Sequence, residues 1–90
     1  MPPIAQPVPA APARILRALE NGALLRGRDV DAVQRALARE GFDPGRPDGV
    51  FGPRTAGAVA RFQRARGLVV DGEVGPETAG ALGVVLEAAA

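Results

Sequence analysis

One twelve-residue pattern occurs twice in this chain. Asp48 to Val59 reads DGVFGPRTAGAV, Asp71 to Leu82 reads DGEVGPETAGAL, and eight of the twelve positions are identical at an offset of 23. In each copy a glycine (Gly52, Gly75) precedes a proline (Pro53, Pro76). Proline at the first helical position loses no hydrogen bond, because the N–H there has no partner inside the helix. Each copy therefore predicts a tight Asp-Gly turn followed by a helix start. Thr55, Ala58, Val59 and Phe62 fall at i, i+3, i+4 and i+7, as do Thr78, Ala81, Leu82 and Val85, so two related helices turn one stripe each toward a shared core. The first is expected to end at Gly67. For the second, a stop at Gly83 and a continuation toward Ala90 are both open.

A third helix is predicted upstream. Asp29 can cap its first N–H groups, Val30, Val33 and Leu37 form its stripe, and Gly41 ends it in a left-handed conformation, which places Phe42 to fold back on the last turn. The loop GFDPGRPDGVFG that follows reads as a succession of tight turns, with Asp43 and Asp48 suited to bond nearby backbone N–H groups. Residues 1–12 hold five prolines and read as an extended linker or arm. Ile15, Leu16 and Leu19, stopped by Asn21-Gly22, predict a short accessory helix within residues 13–23. The strand candidates Val50-Phe51 and Leu68-Val69-Val70 are too short to organise a sheet. The expected fold is all-α: a compact three-helix domain over residues 24–83, an additional short N-terminal helix before it, and a C-terminal extension over 84–90.

Composition removes most chemistry. The 90 residues contain no Cys, His, Ser, Lys, Tyr or Trp, and Thr55 and Thr78 are the only hydroxyls. Nucleophilic catalysis and proton transfer near neutrality draw on the side chains that are missing, so the chain is not expected to be an enzyme. A carboxylate-pair glycosidase using Asp43 and Asp48 finds little wall here for a cleft or for the raised acid pKa it needs. Zinc and copper sites lack their ligands, calcium would need oxygens converging around Asp43 and Asp48, and no metal or cofactor is expected. With 11 Arg against 10 acidic residues the net charge is +1. That balance, with repeated Asp-Gly loops in place of one short turn, argues against a helix-turn-helix and against nucleic acid as partner. No stretch approaches a membrane span and no signal peptide is visible, so a membrane partner is not expected. The charges are nonetheless segregated: residues 52–70 carry four Arg and no acid, residues 71–90 four acids and no base.

Gly27, Asp29-Val30, Val33-Gln34, Leu37, Gly41-Phe42, DGVFGPRT, AVARFQ, Gly67-Leu68 and DGEVGPET, taken together, resemble the peptidoglycan-binding domain of bacterial and phage cell-wall hydrolases. The resemblance runs from about Leu24 to Leu82. It implies a three-helix module that holds the wall without cleaving it, commonly beside a catalytic hydrolase domain. The same fold occurs in matrix metalloproteinase propeptides, whose inhibitory cysteine this chain lacks. The implied location is the cell envelope or periplasm for a bacterial protein, with the export signal in a longer parent chain, or the cytoplasm before release for a phage lysin. A protein-interaction or assembly module on the same fold is the alternative, and oligomeric state is left open.

Peptidoglycan offers amino sugars and short peptides with free carboxylates and amines, so the expected site combines donors, cations and a groove. The candidate ligand-binding residues are Asp48, Gly49, Phe51, Gly52, Thr55, Arg61 and Gln63. Each also has a structural reading: Asp48 and Asp71 as turn formers, Phe42, Phe51 and Phe62 as core, Thr55 and Thr78 as inward-facing helix-end residues, and Gln63 as a bracket to a neighbouring loop. Arg54, Arg61 and Arg64 lie on one helix face, as a solvated stripe or a surface for wall carboxylates.

Overall fold

The computed structural model describes residues 13–19 and 21–89; the arm expected over 1–12 lies outside the described residues. The chain runs β1 (Leu25–Arg26), α1 (Arg28–Arg39), β2 (Val50–Phe51), α2 (Pro53–Arg66) and α3 (Pro76–Leu82). The three expected helices are present, and α1 packs against both others. Their inward stripes form one core, with Val30, Val33 and Leu37 of α1 meeting Ala58, Val59 and Phe62 of α2 and Ala79 and Leu82 of α3.

Glycine sets the helix ends. Gly67 and Gly83 both adopt the left-handed conformation, and the following N–H groups return to Gln63 and Ala79 carbonyls at 2.9 Å each. The second repeat helix therefore stops at Leu82 and does not continue toward Ala90. Its buried residues are Thr78, Ala79 and Leu82, so Ala81 and Val85, expected on the stripe, face solvent, Val85 being 90% exposed. A seven-residue helix makes less than two turns, and Val85 lies beyond its Gly83 end, so the stripe is cut short. Phe42 behaves as expected: its N–H bonds the Leu37 carbonyl at 2.8 Å and its ring meets Phe62 edge-on, centroids 5.7 Å apart. Arg66 covers the same Phe62 ring at 5.0 Å and pairs with Glu40, fastening the ends of α1 and α2 together.

Val50-Phe51 does pair, antiparallel with Leu25-Arg26, placing Leu25 opposite Phe51 and Arg26 opposite Val50. Leu68–Val70 forms no strand.

The short N-terminal helix is not found. Residues 13–19 are non-helical: Leu16 exchanges two backbone bonds with Val74 (3.1 and 2.8 Å), Ala13 bridges Ala88, and the Arg14 N–H bonds the Glu87 carbonyl at 2.8 Å. Leu16 is fully buried in the core, whereas Ile15 stays 44% exposed. The apolar spacing that suits a helix face also suits an extended segment burying one side chain. Backbone partners on Val74 and Glu87, distant in sequence, decide between the two.

Asp29 likewise departs from the expected cap. The cap lies two residues earlier, at Gly27, and α1 starts at Arg28. The buried Asp29 carboxylate accepts the Val30 N–H at 2.9 Å, Arg14 Nε at 2.8 Å and the Glu87 N–H at 3.1 Å, and Arg14 Nη2 also reaches Glu87. Burial raises the Asp29 pKa, but these donors outweigh it and hold the group at about 2. Gly27 has φ 155°, and a Cβ there would collide with the Arg14 guanidinium, so only glycine fits beside this clamp.

Candidate functional site

Each copy of the repeat is built around one buried glutamine. Gln63, on α2, directs its side-chain amide N–H₂ to Asp71 Oδ1 (2.9 Å), the Glu73 carbonyl (2.8 Å) and Thr78 Oγ1 (3.1 Å), while its Oε1 accepts the Asp71 and Gly72 N–H groups at 3.1 and 3.0 Å. Gln34, on α1, repeats the pattern on Asp48 Oδ1 (3.2 Å), the Val50 carbonyl (3.0 Å) and Thr55 Oγ1 (3.0 Å), with the Gly49 N–H donating to Oε1 at 3.0 Å. Asp48 and Asp71 accept the N–H two residues on, from Val50 and Glu73, at 3.0 and 2.9 Å. The expected turn-forming role of both aspartates is thus observed. Gly49 and Gly72 follow them at φ 73° and 71°, a conformation that side chains resist. Gln34 and Gln63 are each 1% exposed, so both amides are closed to solvent.

Each frame supports a cleft. The first, of about 240 Å³, is bounded by Leu24, Arg46, Asp48, Gly52, Pro53 and Arg54, with Gln34 and Thr55 beneath. The second, of about 250 Å³, uses the corresponding Asp71, Glu73, Gly75, Pro76, Glu77 and Thr78 together with Val69. A wider depression of about 450 Å³ lies across the Asp48-Gly49 turn, beside Arg26, Arg28 and Asp31. The helix N-termini facing these three places differ. α1 carries Asp29 and Asp31 in its first turn and α3 carries Glu77, whereas α2 has no acid there. Only in the first cleft does the positive end of a helix lack an acidic neighbour on its own first turn. Gly52 has no side chain to cap α2, and among the described residues no side chain accepts from the Arg54 or Thr55 N–H.

Residues 26–82 match the family described as "Putative peptidoglycan binding domain". The chain belongs to this peptidoglycan-binding family. It is 43% identical over 54 residues to N-acetylmuramoyl-L-alanine amidase CwlA of Bacillus subtilis (strain 168), covering 53% of this chain and 20% of that protein. It is 52% identical over 48 residues to N-acetylmuramoyl-L-alanine amidase XlyA of the same strain, covering 47% and 16%. The chain thus spans a fifth or less of the length of these amidases. Among solved structures, the crystal structure of the SleB N-terminal domain superimposes with a TM-score of 0.69 at 36% identity, over 81% of this chain and 93% of that one. A peptidoglycan-binding protein from Clostridioides difficile, in complex with glutamine hydroxamate, gives 0.68 at 37% identity over 79% and 41%.

Within this peptidoglycan-binding domain the expected site residues fall into different places. Asp48, Gly52 and Thr55 come together at the first cleft, and Gly49 lies on the far side of the same turn. Asp48 is exposed, and the Val50 N–H, then Gln34, lower its pKa, keeping it ionised at neutral pH. Thr55 is buried: its hydroxyl accepts from Gln34 and lies 3.3 Å from the Pro44 carbonyl, to which it donates. Phe51 is 1% exposed and forms the floor of an adjoining apolar cleft. Gln63 lies under the second cleft, its amide fully engaged. Arg61 is outside both clefts, donating to the Asp43 carbonyl at 3.2 Å. Asp43 gives its carboxylate to the Gly45 N–H and to Arg54 (2.9 and 2.7 Å), which lower its pKa in that order. Among the described residues no three acidic side chains converge as a metal site requires.

Sequence reasoning missed Gln34 as the counterpart of Gln63 and missed Arg46 as a cleft residue, and it grouped Arg54 with Arg61 and Arg64 on one arginine stripe, whereas only Arg54 of the three lines the cleft. A signal for the first was present. VQRAL at 33–37 matches FQRAR at 62–66, but at an offset of 29, because 14 residues separate Gln34 from Asp48 and only 8 separate Gln63 from Asp71. No comparable signal marks Arg46, which lines the cleft with Pro44 and Gly45 from the longer first loop.

Proposed function

We propose that this domain is a non-catalytic module that binds peptidoglycan through the first cleft and so holds an associated cell-wall hydrolase at its polymer. The observation that carries the reading is the open N-terminus of α2 between Arg46 and Arg54, a place suited to a carboxylate of the stem peptide. Arg54 engages Asp43 only through an exposed pair, which is readily loosened in favour of a ligand. Asp48 and Asp71 are equivalent in the two clefts, so the contrast lies in Arg46 and Arg54 of the first against Glu73 and Glu77 of the second, which has no base and repels the same group. Binding beside an enzyme raises the effective concentration of catalyst at the wall, so a weak intrinsic affinity suffices. The site of action is the cell envelope.

Sedimentation of the purified chain with insoluble peptidoglycan sacculi tests this reading. Wild-type protein is expected in the pellet, and an Arg46→Ala, Arg54→Ala double variant with an unchanged circular dichroism spectrum is expected mainly in the supernatant. Wild-type protein that stays in the supernatant at every concentration and salt overturns wall binding and leaves a protein-interaction module as the reading.

A further inference from the structure

The carboxylate cleft does not end at Pro53. A second, apolar cleft of about 290 Å³ continues from it and shares Leu24, Gly52 and Pro53 with it. Leu19 and Leu24 form one of its sides and Phe51 its floor, and among the described residues no charged side chain lines it. Neither cleft alone reaches the roughly 300 Å³ at which small-ligand sites begin, but the joined groove does. The apolar side comes from Ala18, Leu19, Gly22, Ala23 and Leu24, which precede the family-matched segment 26–82. Gly52 sits at the junction, where a Cβ would meet no protein atom within 4 Å, so the passage between the two halves is open. Leu24 is 44% exposed at that junction.

A cationic half beside an aliphatic half matches a peptide end that carries a free carboxylate next to small aliphatic side chains. We propose that the groove takes the alanine-bearing carboxyl end of the peptidoglycan stem peptide, its carboxylate between Arg46, Arg54 and the start of α2, and its methyl groups against Leu24, Leu19 and Pro53. This rests on the wall-binding reading and adds to it a ligand end and a specificity determinant. Leu24 discriminates alanine from glycine there, while the arginines discriminate acid from amide.

Chemical-shift titration of the full chain with four soluble probes tests the assignment: N-acetyl-D-Ala-D-Ala, its C-terminal amide, N-acetyl-L-Ala-L-Ala and N-acetyl-Gly-Gly. At about fourfold per buried methyl, D-Ala-D-Ala is expected to bind roughly fifteenfold tighter than Gly-Gly. Amidation is expected to remove most binding, and shifts should centre on Leu24, Gly52 and Arg54. Leu24→Asn is expected to bring the alanine-to-glycine ratio close to one while the acid-over-amide preference remains. Equal affinity for alanine and glycine probes, or a ratio unchanged in Leu24→Asn, overturns the apolar subsite. Equal binding of the L and D probes overturns the stem peptide as occupant in favour of an ordinary protein C-terminus. Sacculi that sediment the chain while no probe shifts it overturn this inference alone, whereas failure with sacculi strikes the wall-binding reading.

Discussion

Gln34 and Gln63 show why a polar side chain can hold this fold more firmly than an apolar one. Each amide satisfies a turn on both sides, its oxygen receiving one backbone N–H in Gln34 and two in Gln63, and its two protons shared among a carboxylate, a carbonyl and a hydroxyl. Removing one leaves several buried groups without partners, and such groups carry the full desolvation penalty. Gln63→Ala is therefore expected to lower unfolding free energy by about 2 to 4 kcal/mol, read from urea denaturation, with Gln34→Ala similar. Arg61→Ala, removing an exposed side chain with one long bond, is expected to stay within about 0.5 kcal/mol of wild type. Loss of wall binding in a Gln63 variant would thus report a collapsed turn, and the Arg46 and Arg54 variants are the ones that read the cleft.

Among the elements, the N-terminal segment is non-helical and mostly exposed, yet it sends one side chain, Leu16, fully into the core. Leu16→Ala is expected to cost about 2 to 5 kcal/mol in the same denaturation experiment, as for a core leucine, because Leu16 is fully enclosed. The Arg14, Asp29 and Glu87 clamp joins this segment to the start of α1 and the C-terminal tail, and it is acid-sensitive. Asp29 has a folded pKa of about 2 against 3.8 in the unfolded chain, so its contribution is complete above the unfolded value and disappears as pH falls through the folded one. That share is on the order of 2 kcal/mol, lost between about pH 4 and pH 2, and Asp29→Asn should flatten the stability curve across that window. At α2 the open N-terminus allows a separate test. Gly52 has φ −105°, an ordinary value, so Gly52→Asp can place a carboxylate over the free N–H groups. Thermal stability is expected to hold or rise while sacculus binding falls, an outcome that separates ligand competition from unfolding.

At the scale of the whole molecule, the internal repeat yields two clefts of like frame and opposite charge. Position 54 is Arg where position 77 is Glu, and position 50 is Val where 73 is Glu. Only one copy is therefore suited to an anionic group, and a two-site binding curve is not expected for a carboxylate ligand. Exposed charges are screened over about 8 to 10 Å at ordinary ionic strength, so sacculus binding should weaken several-fold between 50 mM and 300 mM salt while the urea midpoint changes little.

The repeat, the proline and glycine punctuation and the α1 and α2 stripes were legible in the chain because they express local rules, namely backbone dihedrals and helical periodicity. The same local rules located Asp48, Gly52 and Thr55 near one another. They failed for Leu16, whose extended conformation depends on Val74, and for Asp29, whose partners are Arg14 and Glu87. They failed also for Arg46 and Leu24, which meet across the first cleft only when the loop and strand around them are folded. Local sequence determined where helices start and stop and which turns recur. Tertiary structure alone decided which buried polar groups found partners and which side chains came to share a cleft, because both depend on distances between residues far apart in the chain.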